Sequence, residues 1–250
     1  MELYELVTIA VALILAGLVH GTLGIGFPLV STPLLALVLD VRFAVLITLL
    51  PTIAVNLTSI AHGEGWRAQL EEYWPLAAWV LGAAVCGALL LTLFDPRPFK
   101  LVLAAVIFVY LHAQHVRFLQ LTWVDTRPRL GMAVFGLLAG LSGGSVNVMV
   151  PILVIYALQR KLPKQQMVPV FNMCFACGKL SQTLVFGGAG LLTGDLLLIT
   201  AFGAAVAVGA LLIGFRLQAR ISAATYELIL RRLLLVMACV LIGEFFWERD

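Results

Sequence analysis

Apolar and polar positions in this chain alternate on the scale of whole segments. Apolar runs occupy roughly 4–22, 25–39, 43–61, 73–94, 100–119, 130–146, 148–159, 167–186, 196–215 and 229–247, with short polar links between them. A helix needs about 20 apolar residues, rising about 1.5 Å each, to cross a hydrocarbon layer of roughly 30 Å. Most of the runs approach that length. The second and seventh fall short, which predicts half-length or re-entrant helices. The pattern predicts an all-α polytopic membrane protein with no long hydrophilic domain.

The pattern also repeats. The stretch AGLVHGTLGIGFPLV at 16–30 is answered by AGLSGGSVNVMVPIL at 139–153, an offset of 139 − 16 = 123. At that offset Ala16, Gly17, Leu18, Gly21 and Pro28 meet Ala139, Gly140, Leu141, Gly144 and Pro151, and Thr22 meets Ser145. The ten runs then pair as five plus five, in units of 1–123 and 124–250. An odd number of passes per unit inverts the second relative to the first, a recurring transporter design with the substrate site at the repeat interface.

Composition agrees with a lipid environment. Apolar residues make up 62% of the chain and charged residues 12%, against about 45–50% and about 25% in soluble domains. The net charge of +3 is small, and no basic cluster interleaved with aromatics points to nucleic acid. No basic residue precedes the first apolar run, so a cleaved signal peptide is not expected. Alternation along the ten runs puts Arg67, Arg117, Arg127, Arg129, Arg160, Lys161, Lys164, Arg216, Arg220, Arg231 and Arg232 on one face. Arg42, Arg97, Lys100 and Arg249 fall on the other. The basic-rich face is the cytoplasmic one, so both termini are expected outside. Trp66, Tyr73, Trp74 and Trp123 lie near run ends and read as interfacial anchors.

Each unit carries a glycine-rich break. Gly21, Gly24 and Gly26 precede Pro28, and Ser142, Gly143, Gly144, Ser145 and Asn147 precede Pro151. Proline suits the first turn of a helix, where its missing N–H has no partner to lose. Helices are therefore expected to start near Gly26 and near Asn147. Such starts carry partial positive charge and unpaired donors, which suit an anion. In an inverted pair they converge near the membrane midplane. Thr22, Ser142, Ser145 and Asn147 add polar side chains, although each hydroxyl could instead bond back to its own helix.

Lys179 is the one cation deep in an apolar run, and it falls opposite Asn56 at the offset of 123. An ionisable residue there is a functional candidate by default. Asn172, Lys179 and Gln182 share a helical stripe, and Thr52 and Asn56 are its polar counterparts in the first unit. All acidic residues are terminal or close to links, which favours an anionic substrate. His20 adjoins the first break, as a structural histidine or as a proton carrier. No acidic or cysteine partner for His112 and His115 is evident in the sequence, and they read as interfacial rather than metal-binding. Cys174 and Cys177 form a CxxC pair in mid-run, away from the helix start that would lower a thiol pKa. Nothing calls for a catalytic residue, a metal or an organic cofactor.

The paired breaks followed by proline resemble the TauE/SafE family, sulfite exporter-like permeases also called TSUP or DUF81. The family shows a run such as GIGGG before the proline-bearing helix. This chain keeps Gly24, Ile25 and Gly26 and then has Phe27, while the second unit reads Ser145, Val146, Asn147, Val148, Met149. The resemblance implies transport of small, often sulfur-containing anions such as sulfite or an organosulfonate across a bacterial inner membrane. The expected function is a secondary transporter working by alternating access. The expected substrate contacts are Thr22, Gly24, Gly26, Asn56, Ser142, Gly143, Gly144, Ser145, Asn147, Asn172, Lys179 and Gln182, with His20 as a candidate for proton coupling. Expected partners are the small anion, membrane lipid and a coupling ion, H+ or Na+, and a homodimer is compatible with the chain. An anion channel and a membrane thiol–disulfide carrier built on Cys174 and Cys177 are the alternatives.

Overall fold

The computed structural model describes residues 3–63, 66–112, 121–218 and 223–247. Arg117, Arg220, Arg249 and His115 lie outside them. The described residues form α1 (Leu3–Leu23), α2 (Phe27–Ala36), α3 (Val41–Ile47), α4 (Leu49–His62), α5 (Trp66–Leu93) and α6 (Pro98–His112). They continue as α7 (Thr122–Thr126), α8 (Pro128–Val146), α9 (Val150–Gln159), α10 (Lys164–Gly188), α11 (Gly194–Leu217) and α12 (Ala223–Trp247). No strand occurs among them. α1, α5, α8 and α11 are long and apolar enough to cross a membrane, and α3 with α4 makes a fifth, bent candidate. The protein is an all-α, multi-pass membrane protein.

The second and seventh runs are short helices, as expected. α2 and α9 have ten residues each, about 15 Å of rise. Both start with proline in the first turn. Shifting Phe27–Ala36 by 123 gives Val150–Gln159, so the two elements coincide under the repeat offset.

The third run differs from its expected single helix. It breaks at Thr48 and bends by 46° between α3 and α4. Pro51 explains the break: it has no N–H for the carbonyl of Ile47, and its ring crowds the preceding turn. The Thr48 hydroxyl bonds back to Ala44 O and Val45 O, a contact that bends helices further. Position 51 + 123 is Cys174, and there α10 runs unbroken from Lys164 to Gly188.

Small residues set the packing. α1 lies along α11 in the same direction, with Leu13 against Gly203, Gly17 against Ala207 and Ala210, and Gly21 against Gly214. α8 lies along α5 in the same way, with Gly136 at Leu76, Gly140 at Val80 and Gly144 at Ala84. A Cβ at Gly21 would land on the Leu211 carbonyl oxygen, and one at Gly144 on that of Ala84. Close backbone approach of this kind gives membrane helices their dispersion contact, since lipid supplies no hydrophobic drive between them. The partners exchange under the offset: α1 packs on α11 and α8 on α5, α4 on α11 and α10 on α5. The equivalents α4 and α10 pack on each other, as do α6 and α12.

At one end a cavity of about 920 Å³ is lined by Asp40, Asp95, Arg97, Lys100 and Glu244. Lys100 Nζ donates to Glu244 at 3.0 Å, tying α6 to the last turn of α12. Arg42 donates to Leu91 O at 2.8 Å and to Phe94 O at 2.7 Å, covering the C-terminal end of α5. Arg42, Arg97 and Lys100 of the minority basic group thus gather at one end. Of the expected aromatic anchors, Trp74 is exposed but Tyr73 is buried in the core. The reason is register: Tyr73 faces the same way on α5 as Leu76, Ala77 and Val80, which pack inward.

Gly144→Leu should abolish a monodisperse peak in detergent gel filtration, because backbone cannot yield to the side chain. Gly82→Ala, where a Cβ meets nothing within 4 Å, should elute like the parent protein.

Candidate functional site

The first break is held by His20 and Asn172. Gly24 (φ 83°) and Gly26 (φ 108°) take left-handed backbone, which glycine adopts without strain. The His20 Nδ1 accepts the Phe27 N–H at 3.2 Å, so the buried ring caps the first turn of α2. A neutral ring accepting at Nδ1 carries its proton on Nε2. A second proton on Nδ1 would break the cap. Asn172, on α10, donates through Nδ2 to Gly24 O at 3.0 Å and to Val168 O at 2.8 Å.

The second break is held by Asn147 and Gln182. Asn147 is left-handed (φ 62°) and ends α8. Its Nδ2 donates to Thr32 Oγ1 and to Thr48 Oγ1, both at 2.9 Å, joining the break to α2 and to the α3–α4 bend. The Ser142 hydroxyl donates to Val148 O. Among the described residues the amides of Val148, Met149 and Val150, which precede or open α9, find no acceptor. Those three residues are buried. Gln182 Nε2 donates to Gly143 O at 3.0 Å and Gly144 O at 2.9 Å, so two carbonyls at the end of α8 fix its amide.

That orientation turns Gln182 Oε1 toward Lys179. Lys179 Nζ donates to it at 2.7 Å, and the residue is 2% exposed. Lys179 lies 179 − 164 = 15 residues from the start of α10 and 188 − 179 = 9 from its end, about 22 Å and about 13 Å along the axis. No ion pair to Lys179 occurs among the described residues. An ammonium has three N–H groups, so two remain for a ligand.

The facing helix α4 carries a different stripe. Thr52, Asn56 and Ser59 are buried at successive turns, and Thr52 Oγ1, Asn56 Oδ1, Asn56 Nδ2 and Ser59 Oγ have no hydrogen-bond partner among the described residues. At the offset of 123 they correspond to Phe175, Lys179 and Gln182.

The expected site residues therefore fall into two groups. Asn147, Ser142, Gly143, Gly144, Gln182 and Lys179 come together at the second break. His20, Gly24, Gly26 and Asn172 come together at the first. Asn172 and Gln182 are ten residues apart on α10, so the breaks stand about 15 Å apart along it. The helix starts do not meet end to end; Asn147 reaches Thr32 in the second turn of α2. The hydroxyls of Thr22 and Ser145 donate to their own helices, to Leu18 O and Val19 O and to Leu141 O. What they leave for a ligand is acceptor capacity. Sequence reasoning missed Thr32 and Thr48, the acceptors that seat Asn147. It also missed Ser59, although 59 + 123 = 182 pairs it with Gln182.

A family model described as sulfite exporter TauE/SafE matches residues 9–243. The chain belongs to the sulfite exporter TauE/SafE family. The match takes in both breaks, the α4 stripe and Lys179, so these features sit inside the TauE/SafE region. No curated protein and no solved structure matches the chain. Family membership makes this a membrane transporter-type protein of the sulfite exporter kind.

Asn147→Gly keeps the left-handed backbone and removes both bonds to Thr32 and Thr48. Losing buried hydrogen bonds costs about 1–3 kcal/mol. The variant should therefore show a lower midpoint of thermal unfolding, read by cysteine-reactive dye at the buried Cys174.

Proposed function

We propose that this TauE/SafE protein is a secondary transporter for a small sulfur-containing anion, such as sulfite or an organosulfonate, working by alternating access across the inner membrane. The observation that carries the reading is Lys179: a buried ammonium seated on a neutral amide, with no carboxylate among the described residues to balance it. Charge buried without a counter-charge is costly. An anion is the ligand that would relieve it. The acceptor-free amides of Val148, Met149 and Val150, at the second break, are donors of the kind that bind oxyanions at helix starts. Gln182 joins the two parts, since it touches Lys179 on one side and the α8 carbonyls on the other.

Inverted repeats of 1–123 and 124–250 are part of the same proposal, supported by helix direction. α4 runs with α11, from Pro51 beside Gly203 to His62 stacked on Phe215 at 4.2 Å. α11 runs with α1, so α1, α4 and α11 share one direction. α4 ends at His62 and α5 begins at Trp66, a link short enough to require α5 to return. α8 follows α5, so it opposes its own equivalent, α1. With the charge asymmetry, this supports the reading that both termini lie outside. The two breaks then serve the two sides of the membrane, with Lys179 and the α4 stripe in the span between them. Cys174 is fully buried eleven residues or so into α10, far from a helix start, which favours a packing role over thiol exchange.

Lys179→Gln should reduce sulfite uptake into proteoliposomes by about tenfold to a hundredfold, the equivalent of a lost charge-assisted bond of about 1.5–3 kcal/mol. Its thermal midpoint should hold or rise, because the variant no longer buries a charge. Uptake equal to the parent protein would refute the anion site. In the same assay Cys174→Ser with Cys177→Ser should transport normally; loss of activity there would favour a thiol carrier.

A further inference from the structure

α4 and α10 run between the two breaks in opposite directions. Thr48, at the start of α4, accepts from Asn147 of the second break. His62, at its end, stacks on Phe215, next to the Gly214 that meets Gly21. α10 reaches Gly24 through Asn172, and the end of α8 through Gln182. Thr52 lies four residues from Thr48, about 6 Å, and Lys179 three residues from Gln182, about 4.5 Å. Both are therefore within about one turn of the second break, at similar depth.

A neutral polar column leads from there toward the first break. Pro51 and His62 mark the side of α4 that packs on α11. Thr52, Asn56 and Ser59 form the neighbouring stripe, about 100° round the helix and about 10 Å long. Their side-chain polar atoms have no partner among the described residues, and neither do His20 Nε2 and Asn172 Oδ1 at the first break. All five residues are at least nine-tenths buried. The His20 ring carries its proton on Nε2, because Nδ1 accepts from Phe27. The column thus offers N–H and O–H donors and two amide oxygens as acceptors, but no charge.

Residues 13–23, 49–61, 139–153 and 172–182 contain both breaks and the stripe. Lys179 is the one Lys, Arg, Asp or Glu among them. The fixed charge of the region is therefore a single positive one. A monoanion neutralises it. A dianion would leave one negative charge buried among neutral donors, and uncompensated charge away from water is costly. The remaining hydrogen-bonding capacity is neutral and works in both directions. It suits a hydroxyl or a protonated oxygen, not a second anionic group.

We propose that the site admits singly charged sulfur oxyanions and excludes doubly charged ones, with Thr52, Asn56 and Ser59 holding the uncharged polar part of the anion. Hydroxyalkanesulfonates and hydrogen sulfite belong to this class. The sulfite dianion, sulfate and sulfoacetate fall outside it. The inference rests on the anion reading of Lys179 and narrows it.

Three probes on one two-carbon skeleton test it: ethanesulfonate, 2-hydroxyethanesulfonate and sulfoacetate. Binding to the purified protein in detergent is read from the thermal midpoint at constant ionic strength. 2-Hydroxyethanesulfonate should bind at least about tenfold more tightly than sulfoacetate, and more tightly than ethanesulfonate. Asn56→Leu and Thr52→Val should keep the preference for single charge and lose most of the advantage of the hydroxyl. Neither should lower the midpoint without ligand, since each removes an unpaired buried polar group. Sulfoacetate binding as tightly as either monoanion would overturn the charge limit. A hydroxyl advantage unchanged in both variants would overturn the role of the stripe. Uptake into proteoliposomes separates this inference from the reading beneath it. Equal uptake of sulfoacetate and 2-hydroxyethanesulfonate, lost in Lys179→Gln, overturns the selectivity and leaves anion transport standing. The expected order of binding without uptake keeps the site and counts against transport. No binding and no uptake of the three probes or of hydrogen sulfite counts against the anion reading, and this inference falls with it.

Discussion

The organisation of this membrane protein depends on how one positive charge is held away from water. Lys179 sits deep in α10 and its ammonium rests on a neutral amide, Gln182. A carboxylate partner would have closed the charge off in a stable pair. An amide partner only orients it, because a neutral acceptor cannot cancel a charge. Gln182 is in turn fixed by two carbonyls at the end of α8. The position of the charge is thus tied to the position of the second break. Any movement of α8 against α10 would act on Lys179 directly.

Close packing of small residues makes this arrangement rigid where it has to be. α1 on α11 and α8 on α5 approach at backbone distance through Gly21, Gly144 and their neighbours. Of the broken elements, α2 packs on α1 and α12, α9 on α8 and α6, and α4 on α11 and α10. Irregular backbone is tolerated at membrane depth only where protein or a polar cavity satisfies it. His20 and Asn172 do this for the first break, and Asn147 with Thr32 and Thr48 does it for the second. At the first break His20 engages the Phe27 amide, while the amides of Ile25, Gly26 and Leu29, like those of Val148, Met149 and Val150 at the second, find no acceptor among the described residues.

The two proposed repeats differ in chemistry. Equivalent faces of α4 and α10 carry Thr52, Asn56 and Ser59 in one and Phe175, Lys179 and Gln182 in the other. One face is neutral and unpaired; the other is charged and anchored. Gly17, Gly21 and Pro28 recur as Gly140, Gly144 and Pro151, whereas Gly24, Gly26 and Pro51 give way to Asn147, Met149 and Cys174.

The helical class, the short second and seventh segments, the offset of 123 and the singular status of Lys179 were legible in the linear chain. Each depends on local composition or spacing: apolar length against bilayer thickness, proline and glycine chemistry, and the rarity of charge in lipid. The break at Thr48 was signalled by Pro51, but a continuous apolar run hid it, since hydropathy does not register a missing N–H. Partner choice was not legible. Whether Thr22 and Ser145 face a ligand or bond back to their helices depends on rotamers. Whether Asn147 serves a substrate or ties the second break to Thr32 and Thr48 depends on residues 115 and 99 positions away. Hydrogen bonds across such separations are set by which helices pack together. Only the tertiary structure brings those partners within about 3 Å, the range over which such a bond acts.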